Sequence, residues 1–253
     1  MLLACASAVA QTGSDSPGPT AQGKAEFAAR AEKVFLAAKA RFAAEPTNGL
    51  AAWQFGRACY DWADYATSSS QRADIAQQGI NACRSLITQD PNSGPGHYYL
   101  GMNLGQLAQT KSLGALRIVG QMESEFKIAL GLDPALDFAG PDRNLGLLYF
   151  HAPGWPTSIG SKAKARLYLQ KALKLYPNYP ENQLNLIEAE FKWGDKTGAA
   201  RDFKALEAMW PGAHKELTGV EWASSWADWE MRRQILQRKV NEASKGLETP
   251  RQK

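Results

Sequence analysis

The chain has 253 residues, 29 Lys+Arg against 25 Asp+Glu for a net charge of +4, and a hydrophobic share of 44%. That length and apolar content suit one or two domains with a well-buried core and exclude a disordered chain. A charge of +4 is too mild to indicate nucleic-acid binding without clustered cations, and three His with three Cys leave few ligands for a metal enzyme. The 8 Trp need a structural account.

The first ten residues, MLLACASAVA, are apolar and small, and residues 11–23 continue with Ser, Gly, Pro and Thr. Ten residues are too few to span a bilayer, which takes about 20. Ala8-Val9-Ala10 before Gln11 fits a secretory cleavage site whose basic and apolar upstream regions are largely missing. Leu2-Leu3-Ala4-Cys5 offers a second reading, a bacterial lipoprotein box with Cys5 as the lipidated residue. A disordered cytosolic tail is the bland alternative. Export from a bacterial cytoplasm is the expectation, soluble or lipid-anchored, with residues 1–23 as signal remnant and linker and 24–253 as one domain.

From there the sequence repeats. Five apolar helical runs close on a proline, at Pro46, Pro91, Pro134, Pro177 and Pro211, spaced 45, 43, 43 and 34 residues apart. Eight residues before each proline stand Ala38, Cys83, Phe126, Leu169 and Phe203, one face of a helix that the proline ends. The partner helices carry Phe55-Gly56, Leu100-Gly101 and Leu145-Gly146, with Leu186-Ile187 in the fourth unit. A glycine inside a helix costs about 1 kcal/mol relative to alanine, so its recurrence indicates close helix approach. With Leu186, Ala199, Phe203, Leu206 and Pro211 in the last unit, residues 25–212 resemble tetratricopeptide repeats. The resemblance implies an all-α, right-handed α-solenoid of antiparallel helix pairs.

In the first three units the extra residues, relative to a repeat of about 34, fall between the two helices, at 61–74, 106–120 and 151–162. They predict either extended turns along one edge or longer helices. The third, HAPGWPTSIGSK, is too rich in Pro and Gly to be helical, with Ser161 capping the next helix. Gly96-His-Tyr-Tyr-Leu-Gly101, Arg143-Asn-Leu-Gly-Leu-Leu-Tyr149, Ala152-Pro-Gly-Trp-Pro156 and Tyr179-Pro-Glu-Asn182 resemble the T-component proteins associated with TRAP transporters. That resemblance implies a periplasmic or lipid-anchored partner of a solute-binding protein, in an oligomer.

Beyond Gly212, Trp222, Trp226, Trp229, Arg233, Leu236 and Val240 form one helical stripe, predicting a capping helix from about residue 220 with Arg233 reaching toward solvent. Cys59 and Cys83 fall opposite one another if the chain reverses near Ser68–Ser70, so a disulfide and two buried thiols are both open. No catalytic or phosphate-binding motif is present, and no cofactor is called for. His97, His151 and His214 lie far apart.

The concave face of such a solenoid comes from the first helix of each pair. Trp53, Tyr98, Asn103, Arg143 and Asn144 are the binding candidates there, with Trp155 in the third insert. Tyr98, Asn103 and Asn144 fit inter-repeat packing equally well. The expected function is a non-catalytic envelope protein that binds a solute-binding protein or a small hydrophobic or organic-acid ligand. The rival is a generic scaffold for peptide or protein assembly.

Overall fold

The computed structural model describes residues 20–111 and 114–248, and every named element there is a helix. They are α1 (Ala21–Ala44), α2 (Gly49–Ala63), α3 (Ser69–Gln89), α4 (Gly94–Gln109), α5 (Ala115–Leu132), α6 (Leu136–His151), α7 (Lys162–Leu175), α8 (Pro180–Lys192) and α9 (Lys196–Glu216). A single 3-10 turn at Val220–Trp222 then leads into α10 (Ala223–Glu248). α2 packs on α3, α4 on α5, α6 on α7 and α8 on α9, and each pair stacks on the next. The architecture is the expected α-solenoid of helix pairs, with α1 before the first pair and α10 across α8 and α9 at the other end. Cys5 and the leader-like segment lie outside the described residues, while α1 begins at Ala21, within the stretch read as linker.

Helix ends follow the sequence signals. α1, α3, α5 and α7 end on Glu45, Asp90, Asp133 and Tyr176, each the residue before a proline. The proline ring disfavours helical geometry at the preceding position. Asn48, Ser68, Ser93 and Ser161 accept hydrogen bonds from first-turn amides of α2, α3, α4 and α7, supplying acceptors those amides would otherwise lack.

The recurring glycines are sockets. A Cβ at Gly101 would sit 2.6 Å from Phe126, one at Gly146 would sit 2.7 Å from Leu169, and one at Gly56 would collide with the Cys83 thiol. Cys83, Phe126 and Leu169 hold the same place in their repeats, so each glycine receives the same position of its partner helix. In the last pair Ile187 and Phe203 share a core cluster instead.

The extra residues of the first two units lengthen helices rather than turns. α3 has 21 residues and α5 has 18, while the connections are residues 64–68 and 110–114. Residues 69–74 of the first insert form the opening turns of α3 and lead directly into its buried stripe, Ile75, Ala76, Gly79, Ile80 and Cys83. Only the third insert is a loop. It is folded by Gly160 N–H to Pro153 O (2.8 Å), Ser161 N–H to Tyr149 O (2.9 Å) and a Gly154–Gly160 bridge.

α9 runs through Pro211 rather than ending there, because Leu206, Trp210 and Ala213 stay buried along one side of it. The Trp-rich end covers the last pair: Trp229 and Leu236 are buried, with Trp222 and Trp226 packed beside them. Arg233 does not simply reach solvent. It donates to Glu207 (2.6 Å and 3.1 Å) and Glu230 (3.0 Å) and lies over the Trp210 ring.

Cys59 and Cys83 stand as free, buried thiols rather than as a bridge. Their side chains serve different clusters, Cys59 with Phe35, Phe55 and Ile75, and Cys83 with Tyr98, Tyr99 and Phe126. The solenoid winds tightly enough for its ends to meet. Arg30 of α1 donates to the Val220 carbonyl at 2.5 Å, and the Tyr65 hydroxyl after α2 lies near Ser224 at the start of α10.

Candidate functional site

Side chains from α2, α4, α6 and α8 converge on one inner surface. Arg57 of α2 lies within electrostatic reach of Tyr99 on α4, Asp137 on α6 and Tyr179 just before α8. Trp53, one turn before Arg57, is half-buried, with its ring parallel to Tyr99 at 5.8 Å between centroids. One turn after Arg57, Asp61 pairs with it at 3.7 Å, and the two side chains remain 56% and 47% exposed. Asp64 follows, accepting from the Gln106 amide at 2.6 Å with Arg72 at 3.7 Å.

This surface is richer in carboxylates than in cations. Crowding by protein atoms pushes the Asp61 carboxyl above the usual range, Asp64 and Asp137 add to the shift, and Arg57 opposes it. Water still reaches about half of Asp61, and screening moderates the shift. Burial also raises Asp64, with Asp228 of α10 contributing from across the inner face and Gln106 and Arg72 opposing.

At the start of α6 the backbone turns left-handed over three consecutive non-glycine residues, Asp137, Phe138 and Ala139, with φ of 51°, 55° and 64°. Such conformations cost about 1–3 kcal/mol each and persist only where surroundings hold them. Arg143 supplies much of the hold. Its guanidinium donates to Phe138 O (3.0 Å), Asp137 O (3.1 Å), Asp137 Oδ2 (2.7 Å) and Asn182 Oδ1 (3.1 Å). Asn182 in turn donates to Phe138 O at 3.1 Å, and Tyr98 donates its hydroxyl to Asp137 Oδ2 at 2.6 Å. Phe138 is thereby set face to face with Tyr179 at 4.4 Å and edge-on to Trp222 at 5.7 Å, tying α6 to the C-terminal cap. Right-handed helix resumes beyond Ala139, with Pro141 in its first turn, where a missing N–H is harmless.

The sequence candidates therefore separate. Tyr98, Asn103, Arg143 and Asn144 are all buried, and their polar groups face inward. Asn103 donates to Gly56 O and Tyr99 O, both at 2.8 Å, stitching α4 to α2. Asn144 donates to the Tyr98 hydroxyl and Gly140 O, both at 3.0 Å. These four stiffen the wall beneath the inner face, and Trp53 alone of the six sits on it. Trp155 is elsewhere, on the third insert, and is 89% exposed.

Arg57, Asp61 and Asp137 did not stand out from sequence. The first two had a signal, since they follow Trp53 at successive steps of four on the same side of α2. Asp137 had none, because its role depends on the left-handed turn. His97 is held by Glu125 (2.6 Å) and Pro91 O (2.9 Å). Among the described residues, no group of three or more His, Cys, Asp or Glu could hold a metal ion, and no helix is long and apolar enough to cross a membrane.

No family model matches the chain, and no curated protein does so. Among solved structures, a thermophilic TPR protein of Thermus thermophilus is similar, with a TM-score of 0.55 at 19% identity, over 73% of this chain and 87% of that one. At that identity the likeness concerns the fold: this is a TPR-like helical solenoid.

Proposed function

We propose that this chain is a non-catalytic binding protein that takes a segment of a partner protein along the inner face of its solenoid. The observation that carries the reading is the exposed Arg57–Asp61 pair beside the stacked Trp53 and Tyr99, on a surface to which four repeats contribute. The rings offer apolar area at small entropic cost, and the open pair offers directional polar contacts. Concave faces of helical repeats bind extended segments in this manner. The sequence likeness to T-component proteins makes an envelope solute-binding protein the first partner to try, met in the periplasm or at a lipid anchor on Cys5. A generic assembly scaffold differs from this only in the partner. An organic-acid ligand is less favoured, since Arg143 already gives its donors to Asp137, Phe138 and Asn182.

A photo-crosslinking residue placed at Arg57 tests the reading against one at Arg84, which is exposed on α3. A defined partner captured from position 57 and absent from position 84 is the expected result. Equal capture at both positions, or none at 57, refutes it.

A further inference from the structure

The outer surface around α7 is charged differently from the inner face. α7 carries Lys162, Lys164, Arg166, Lys171 and Lys174 and no acidic residue in its 14 positions. Arg166 is engaged by Asp195 at 3.0 Å with Glu190 nearby, and Lys162 leans over the Trp193 ring. Lys164, Lys171 and Lys174 are exposed, Lys164 over the Tyr149 ring at 4.9 Å and Lys171 over the Tyr168 ring at 5.1 Å, contacts that leave their charge unneutralised, and Leu167, 50% exposed, lies between the first two. Their spacings of three and four place all four on one ridge of the helix. The acids that face this ridge are already occupied or shielded. Glu123 on α5 is bonded by Lys127 and Tyr149, and Asp142 on α6, near Lys171, is buried.

The loop that leads into α7 presents Trp155, whose exposure of 89% exceeds that of every other exposed large hydrophobic residue among the described ones. Its hydrogen bonds from Gly160 to Pro153 and from Ser161 to Tyr149 pin the base of the loop. The Gly154–Gly160 bridge keeps Trp155 within roughly 16 Å of Lys162, counting Cα steps and one strand spacing. A lone exposed apolar residue is ordinary. An open indole on a pinned loop, followed by a helix ridge with three exposed lysines and only Glu123 and Asp142 facing them, is a combination that calls for a surface with anionic and interfacial character together.

We infer that the Trp155 loop and the Lys164–Leu167–Lys171–Lys174 ridge dock on an anionic phospholipid surface. Both features are convex, a loop tip and a helix ridge. A protein partner would need a matching acidic hollow, whereas a bilayer interface adapts to convex shapes. Phosphates of the headgroups answer the lysines, and indole rings settle at headgroup depth. The inner face, with its excess of carboxylates, belongs to a different set of helices and stays open to a protein partner.

Co-sedimentation with vesicles of phosphatidylcholine, alone and mixed with phosphatidylglycerol, tests the proposal on the whole chain. Binding is expected only with phosphatidylglycerol and should weaken as added salt screens the lysines. Each lysine near such a surface is worth about a fivefold change in partitioning, so the triple variant Lys164→Gln, Lys171→Gln, Lys174→Gln should bind on the order of 100-fold more weakly. Trp155→Ala should also weaken binding and remove part of the vesicle-induced blue shift of the fluorescence. Both variants change only exposed side chains, and unchanged melting curves verify their folding. Absence of binding to phosphatidylglycerol vesicles, or full binding by both variants, overturns the proposal. Binding to polyglutamate without binding to vesicles would assign the surface to an acidic polypeptide and overturn it equally.

Discussion

Replacing Arg143 by methionine distinguishes a structural arginine from a ligand-binding one. The guanidinium is buried and its four donations hold three left-handed residues and the Asp137 carboxylate. Methionine keeps much of the apolar stem but leaves Asp137 partly buried without its cation and Phe138 O without one of its two donors. Removing one partner of a buried pair costs about 3–5 kcal/mol. A domain of this kind has about 5–15 kcal/mol in total, so the loss is a large fraction of it. Relaxation of Asp137–Ala139 would also release Phe138 from Tyr179 and Trp222, loosening the cap. Urea denaturation followed by circular dichroism and by Trp fluorescence reads both effects. The fluorescence transition should move at least as far as the helical one, because Trp222 packs on the released ring and Trp229 packs in turn on Trp222. Repeat proteins can unfold in stages, so the two transitions are compared separately. A stability loss below about 1 kcal/mol with partner binding abolished would refute this account and restore Arg143 as a binding residue.

Gly101→Ala should destabilise by about 1–3 kcal/mol despite alanine's better helix propensity, since its Cβ would meet Phe126 at 2.6 Å; a more stable variant would mean that the glycine is not a socket. Cys59 and Cys83 should react with a thiol reagent only on unfolding, because burial raises both pKa values, that of Cys83 to about 12; fast labelling of the native protein would contradict the packing. Glu190 is fully buried, and its oxygens have no hydrogen-bond partner; burial, then Asp202 and Asp195, raise its pKa against Arg201 and Arg166. A raised carboxyl contributes stability below its unfolded pKa of about 4.3 and loses it as pH rises through the folded value. Glu190→Gln should therefore gain stability relative to the native protein between about pH 5 and pH 8, and a pH-independent difference would refute the shift.

The fold was legible because the repeat writes its own constraints. Each proline forbids helix at the residue before it, and Glu45, Asp90, Asp133 and Tyr176 obey. Each glycine marks a contact that its partner position then fills. The exceptions are cases where burial outweighs a local signal. Pro211 lies inside a helix whose apolar stripe runs on to Ala213; the end of the second insert is helix because Ala115, Ile118 and Val119 have a core to reach, and the end of the first leads into the buried Ile75 and Ala76.

The site was less legible, for a reason that Arg143 and Arg57 show together. Both are arginines on first helices, and composition treats them alike. Arg143 gives its donors to a left-handed turn that no sequence pattern announces, whereas Arg57 pairs with Asp61 at a loose 3.7 Å and keeps more than half of its side chain in solvent. What makes a polar residue available to a partner is the donors it has left after folding, and that remainder depends on backbone turns and neighbouring helices distant in sequence. Trp53 and Trp155 divide on the same principle. The ring of Trp53 is half covered by Tyr99, so it helps to shape the groove. Trp155 stays almost wholly in solvent, and the free energy of covering it is still there for a second surface to supply.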